Sequence, residues 1–127
     1  MNKIQQNVLE DLSLSIDDYL YRYTDDQFLK PNPQGSTSIA VNPGATEMIQ
    51  DVFGNGHLIM AKEIGPGLAF TAQPEPEFGG ENRMLVRVQI SALLDQGCTL
   101  YPDKSTYTLN SLFIHTNDDV IEVEAIE

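Results

Sequence analysis

The chain has 127 residues, 41% of them hydrophobic, and its 19 acidic side chains against 7 basic ones leave a net charge of −12. That length fits one domain with its own core, and no apolar run approaches the length of a bilayer span. The acidity excludes nucleic acid and anionic membrane as partners, because both are held through lysine and arginine.

In chain order, Ile4, Val8 and Leu12 fall four apart, and Ile16, Leu20 and Tyr23 extend the stripe. This predicts helix over residues 1–30, as one bent helix or two short ones meeting near Leu14. Residues 15–18 read SIDD, the shape of a capping box with aspartate in place of glutamate. KPNPQGS closes the segment, because residues before proline avoid the helical basin, and STSIAV predicts a short strand. NPGATEMIQDVFGNG then reads as a helix capped by Asn42, with Met48, Ile49, Val52 and Phe53 on one face and Gly54 as its stop.

Beyond it the period changes to two, and HLIMA, GLAFT, RMLVRVQI, LFIHT and VIEVEAI predict strands. In the third of these, Met84, Val86, Val88 and Ile90 share one face, which marks it as the buried side. SALLDQG predicts a single helical turn between Ser91 and Gly97. LFIHTNDDVIEVEAI reads as a hairpin turning at Asn117 and Asp118. The expected fold is α+β: N-terminal helices packed on a bent, mostly antiparallel sheet ending in a C-terminal β-hairpin. It is read as a single domain over 1–127, helical at 1–30 and mainly β at 36–127.

Chemistry is sparse. His57 and His115 stand alone, Cys98 is the single cysteine, and the aspartate pairs lack the alternate spacing of a calcium loop, so no metal site is expected. Cys98 follows a predicted helix C-terminus with no basic neighbour, which marks a buried structural thiol rather than a nucleophile. One cysteine permits no internal disulfide, and Glu10 and Asp11 interrupt what a signal peptide would keep apolar. Together these indicate a cytoplasmic protein of bacterial type. Neither a nucleophile elbow nor a phosphate loop occurs.

The order ATEMIQDVF, glycine, HLIMA, GPGLAFT, a loop and MLVRVQI resembles compact ADP-ribosyltransferase toxin domains, in which a glycine-led GLYxT-type strand helps hold NAD. The resemblance implies a small split sheet around a dinucleotide cleft, with NAD as cofactor. It implies Gly67, Leu68 and Thr71 as cofactor-binding positions, and Glu122 or Glu124 as the catalytic acid orienting the nicotinamide ribose. In this chain Ala69 stands where the family's stacking aromatic falls, and STSIAV carries no arginine or histidine for the first NAD contact.

Three functional readings follow. The first is a small acidic interaction module of immunity, adaptor or inhibitor type, with no cofactor, which binds a basic protein partner through Asp118, Asp119, Glu122 and Glu124. The second is the NAD-linked transferase. The third is a domain for a small ligand beneath the N-terminal helices. Residues 72–83, with Pro74, Pro76, Gly79 and Gly80, form a connector long enough to act as a lid.

Overall fold

A computed structural model describes residues 1–105 and 110–126. The first element is helix α1 (Lys3–Asp11), whose N-terminus is capped by the Asn2 side chain accepting from the Gln5 N–H at 2.9 Å. Val8 and Leu9 bury its inner face, and the chain leaves it through Ser13 at φ 57°. The expected helix over 1–30 therefore stops at Asp11, and a seven-residue strand, β1 (Tyr19–Asp25), follows.

That correction has a plain cause. Tyr19-Leu20-Tyr21-Arg22-Tyr23-Thr24 alternates, with Leu20 and Thr24 buried on one side and tyrosines on the other. β-branched and aromatic side chains suit a pleated surface better than a helix. The 15–18 capping box forms its hydrogen bond, Asp18 Oδ2 accepting from the Ser15 N–H at 2.8 Å, but it closes a turn rather than opening a helix.

Strands β2 (Leu29–Pro31), β3 (Thr37–Ala40), β7 (Arg83–Gln89) and β10 (Val120–Ala125) join β1 in a sheet ordered β1-β7-β10-β3-β2, all pairs antiparallel. A second, three-stranded sheet holds β6 (Gly67–Phe70), β9 (Leu112–His115) and β8 (Thr99–Pro102) in that order. The expected C-terminal hairpin is thus a corner: β9 and β10 follow one another in sequence but pair in different sheets. Every residue of β9 but His115 is buried, so its two faces serve two cores. With β6 on one edge of β9 and β8 on the other, β9 has no free edge left for its chain neighbour.

The helix expected from NPGATEMIQDVF is absent too. The Asn42 side chain caps the Gly44 N–H at 2.9 Å as a local turn, and β4 (Met48–Gln50) pairs with β5 (Leu58–Met60). Ile49 faces inward with Ala45, Ala61, Tyr101 and Phe113 in a second apolar cluster. Here tertiary pairing overrides a weak helical period. The turn at SALLDQG is present as helix α2 (Ile90–Asp95), with Gly97 at φ 81° releasing the chain into β8.

Two glutamine amides complete the ladders where strands diverge. Gln5 of α1 donates to the Leu100 carbonyl at 2.8 Å and accepts from its N–H at 2.6 Å, covering the open edge of β8. Gln96 does the same for Glu122 of β10, at 3.0 and 2.8 Å. Each amide supplies the donor and acceptor that a neighbouring strand would. The main core, including Leu20, Ile39, Phe70, Val86, Leu100 and Ile121, lies between the two sheets and α1.

A candidate cleft between the two sheets

Among the described residues, backbone hydrogen bonds join the margins of the two sheets at two places. Tyr21 and Thr71 exchange backbone hydrogen bonds of 2.7 and 2.8 Å, and Asn42 and Gly67 exchange bonds of 3.1 and 3.2 Å. A cleft of about 240 Å³ opens beside the first contact. Tyr21, Arg22 and Tyr23 of β1 and Ala69 and Phe70 of β6 line it from the strands, and Glu47 from the segment before β4. Glu75, Phe78 and Arg83 line it from the 72–83 loop. That loop is tied down at both ends: Thr71 Oγ1 donates to the Gln73 carbonyl at 2.6 Å, and the Asp26 N–H donates to the Asn82 carbonyl at 2.8 Å. Arg83 Nη1 donates back to the Phe78 carbonyl at 3.2 Å.

Arg22 dominates the electrostatics. Its Nη1 donates to the Ala69 carbonyl at 2.9 Å, while its Nε is sealed from solvent and has no hydrogen-bond partner among the described residues. Burial depresses its pKa, Glu47 opposes that shift, and the neighbouring Arg83 adds to it. Glu47 carries the complementary defect, an Oε2 that is buried and unpartnered. The two charges feel each other, yet no nitrogen of Arg22 comes within 4.0 Å of a Glu47 oxygen; the ion pair among the described residues is Arg87 with Glu124. A buried polar atom without a partner carries a penalty of about 1–3 kcal/mol, and a functional role is one of the explanations for such an atom in a folded protein.

The residues expected from sequence are distributed differently. Gly67 is buried, and a Cβ there would strike the Ile114 carbonyl oxygen and the Phe113 ring, so this glycine serves packing. Leu68 is part of the core. Thr71 lines the cleft, although its hydroxyl is committed to the Gln73 and Tyr21 carbonyls. Glu122 and Glu124 lie on β10, two strands along the sheet from β1, and do not line the cleft. Glu122 accepts from Asn32 Nδ2 at 2.7 Å and from the Ser36 and Ser38 hydroxyls at 3.0 and 2.7 Å. Glu124 forms a bidentate pair with Arg87, whose guanidinium stacks 4.4 Å above the Tyr19 ring. Asp118 and Asp119 are exposed on the corner between β9 and β10.

Sequence reasoning missed Arg22 and Glu47. The signal for Arg22 was present: it sits on the Leu20/Thr24 side of an alternating strand, where an arginine has no ordinary business. Glu47 had none, because the strand that fixes its neighbourhood read as a helix.

A wider groove of about 600 Å³ runs past α1, Phe53 and α2 to Cys98. It is larger than the cleft but open, and its chemistry is quiet. Burial pushes the Cys98 thiol up to about 11, with Asp118 adding to the rise and a hydrogen bond with Thr116 opposing it, so the thiolate is scarce near neutrality. Among the described residues no group of three or more His, Cys, Asp or Glu side chains could hold a metal ion, and no helix is long and apolar enough to cross a membrane.

No protein-family model matches the chain, and no curated protein does. Its fold is shared with the crystal structure of AvrPphF ORF2, a type III effector from P. syringae, at a TM-score of 0.66 over 100% of this chain and 91% of that one, with 14% sequence identity. At that identity the likeness is one of fold.

Proposed function

We propose that the cleft binds the nicotinamide end of NAD and that this chain is an effector of ADP-ribosyltransferase type, acting on a basic protein target. The observation that carries the reading is Arg22, a half-buried arginine between two sheets whose sealed Nε has no partner among the described residues and whose charge feels Glu47 without an ion pair. Tyr21, Tyr23 and Phe78 are among the residues that line the cleft, and Glu75 and Arg83 line it from the 72–83 loop. The resemblance read from GPGLAFT calls for an arginine or histidine as a first NAD contact, and Arg22 on β1 supplies one. The acid of the reaction would come from the cleft carboxylates Glu47 or Asp103 rather than from Glu122 or Glu124. The likeness of fold to a protein described as a type III effector supports placing the chain among effectors.

The test is calorimetric titration with NAD, followed by incubation with labelled NAD and a cell lysate. The wild-type chain should bind NAD and label a protein. Arg22→Ala should weaken NAD binding by about tenfold or more, the scale of a charged hydrogen bond, while its circular dichroism stays native. Wild-type protein that ignores millimolar NAD would end this reading.

A second reading is favoured by the exposed pair Asp118 and Asp119 in a chain of net charge −12: an acidic surface that captures a basic partner without chemistry. Reversing both to lysine should slow association with that partner and flatten its salt dependence. An unchanged association rate would remove this face from consideration.

A further inference from the structure

Among the described residues, the outer edge of each sheet meets a device that occupies or blunts it, with one exception. The Gln5 amide covers β8, the Asn42–Gly67 bonds close on β6, and Tyr21 of β1 bonds with Thr71. β2 ends in Lys30 and Pro31, residues that keep an outer strand from pairing with another chain. On β4, Ile49 bridges Asp103, and the Lys104 N–H donates to the Met48 carbonyl at 2.8 Å. The exception is β5, which pairs with β4 and, among the described residues, with no other strand.

The register leaves that edge both open and apolar. The Asp51 N–H donates to the His57 carbonyl and the Ala61 N–H to the Glu47 carbonyl, so the backbone groups of Leu58 and Met60 point away from β4. The Glu63 carboxylate takes the Met60 N–H at 2.8 Å, while the Leu58 N–H and carbonyl stay outward. Met48 lies opposite Met60, and Leu58 opposite Gln50, so the three apolar side chains share the face turned away from the Ile49 core. Met48, Met60 and Leu58 are 37%, 36% and 55% exposed, and no proline or charge within Leu58–Met60 blunts the strand.

Charge selects the occupant. Residues 27–74 carry Glu47, Asp51 and Glu63 against Lys30 and Lys62, a net −1 of the chain's −12. A basic protein is drawn to the rest of the surface, whereas a second copy of this acidic chain is repelled there and meets least repulsion here. Lys62 and Glu63 follow the strand side by side, so a two-fold axis through β5 brings both signs from each copy to the rim. In antiparallel pairing about Ile59, Leu58 of one copy falls opposite Met60 of the other. Its free N–H then meets the Met60 carbonyl, twice by symmetry, without disturbing Glu63.

We propose that the β5 edge and the face of Met48, Leu58 and Met60 form the contact between two copies of this chain, a two-fold dimer whose shared sheet runs β4-β5-β5-β4. The edge is only three residues long, so the dimer is weak and concentration-dependent.

The experiment is sedimentation equilibrium of the full chain up to about 1 mM. Raising the salt from about 0.05 to about 0.5 M should tighten association several-fold, because it screens the repulsion between two acidic chains. Capture of a basic partner has the opposite salt dependence. Leu58→Lys should raise the dissociation constant by about tenfold or more. Phe28→Lys, which removes an equally exposed apolar side chain elsewhere, should leave it unchanged. Circular dichroism and thermal midpoints close to wild type certify both variants. A wild type that stays monomeric at high salt would overturn the inference and leave the edge to a foreign strand or to none. So would a Leu58→Lys variant that associates like wild type, or a Phe28→Lys variant that loses as much. Neither variant alters a residue lining the cleft, so NAD binding is judged separately.

Discussion

The cleft and the β10 ladder both carry acidic and basic side chains, and they handle them in opposite ways. On β10 every carboxylate that sequence made prominent is matched: Glu122 by three donors from Asn32, Ser36 and Ser38, Glu124 by the fork of Arg87. In the cleft, Arg22 and Glu47 each keep an atom unmatched and stay out of each other's reach. Matched charge holds a fold together and has nothing left to offer a ligand. Unmatched charge is a standing penalty that binding can relieve. The difference locates function better than the density of acids does.

The largest expected effect tests the matched side. Glu122→Lys strands three donors and puts a cation among them, so stability should fall by about 2–4 kcal/mol, read as a shift of the urea midpoint. NAD affinity of the fraction still folded should not change. A mild loss of stability with a loss of NAD binding would make β10, not the cleft, the working site.

An intermediate effect comes from Cys98, which meets burial in a third way. A thiol can shed its charge where Arg22 cannot, and Cys98 does so. Its pKa rises from an ordinary 9.0 to about 11. The protonated thiol is therefore favoured by folding: this contribution is complete below about pH 9 and is lost as pH climbs toward about 11. Labelling with iodoacetamide at pH 8 should be at least ~10-fold slower for native than for urea-unfolded protein. Equal rates would show an accessible thiol and reopen the groove beside it as a reactive site.

The smallest effect belongs to the exposed end of β10. Glu124→Gln removes a solvent-facing ion pair, and such pairs contribute little. The thermal midpoint should stay within error of wild type, with its salt dependence slightly reduced. A clear destabilisation would mean that Arg87, held over Tyr19, depends on Glu124 to anchor the β7–β10 junction.

Much of the fold was legible from period-two stretches. β3, β5, β6, β7, β9 and β10 fall where STSIAV, HLIMA, GLAFT, RMLVRVQI, LFIHT and VIEVEAI placed them, because alternation and branched side chains act locally. Residues 19–25 and 48–50 were misread because their apolar side chains also fit a helical stripe, and three or four such positions cannot separate the two periods. The hairpin was misread for another reason. Adjacent strands usually pair, but β6 and β8, distant in sequence, occupy both edges of β9, and β10 pairs with β3 and β7 in the other sheet.

By itself the sequence determined the β-rich class, the acidic surface, the stop at Gly97 and the loop at 72–83. These depend on properties of single residues and their near neighbours. It could not determine what the loop covers, nor which of the many acids is left unpaired, because both are decided by residues distant along the chain. Arg22 and Glu47 become a pair only where β1 meets the end of β6 and the segment before β4 folds in beside them. Pairing, and therefore the failure to pair, is a property of three-dimensional distance.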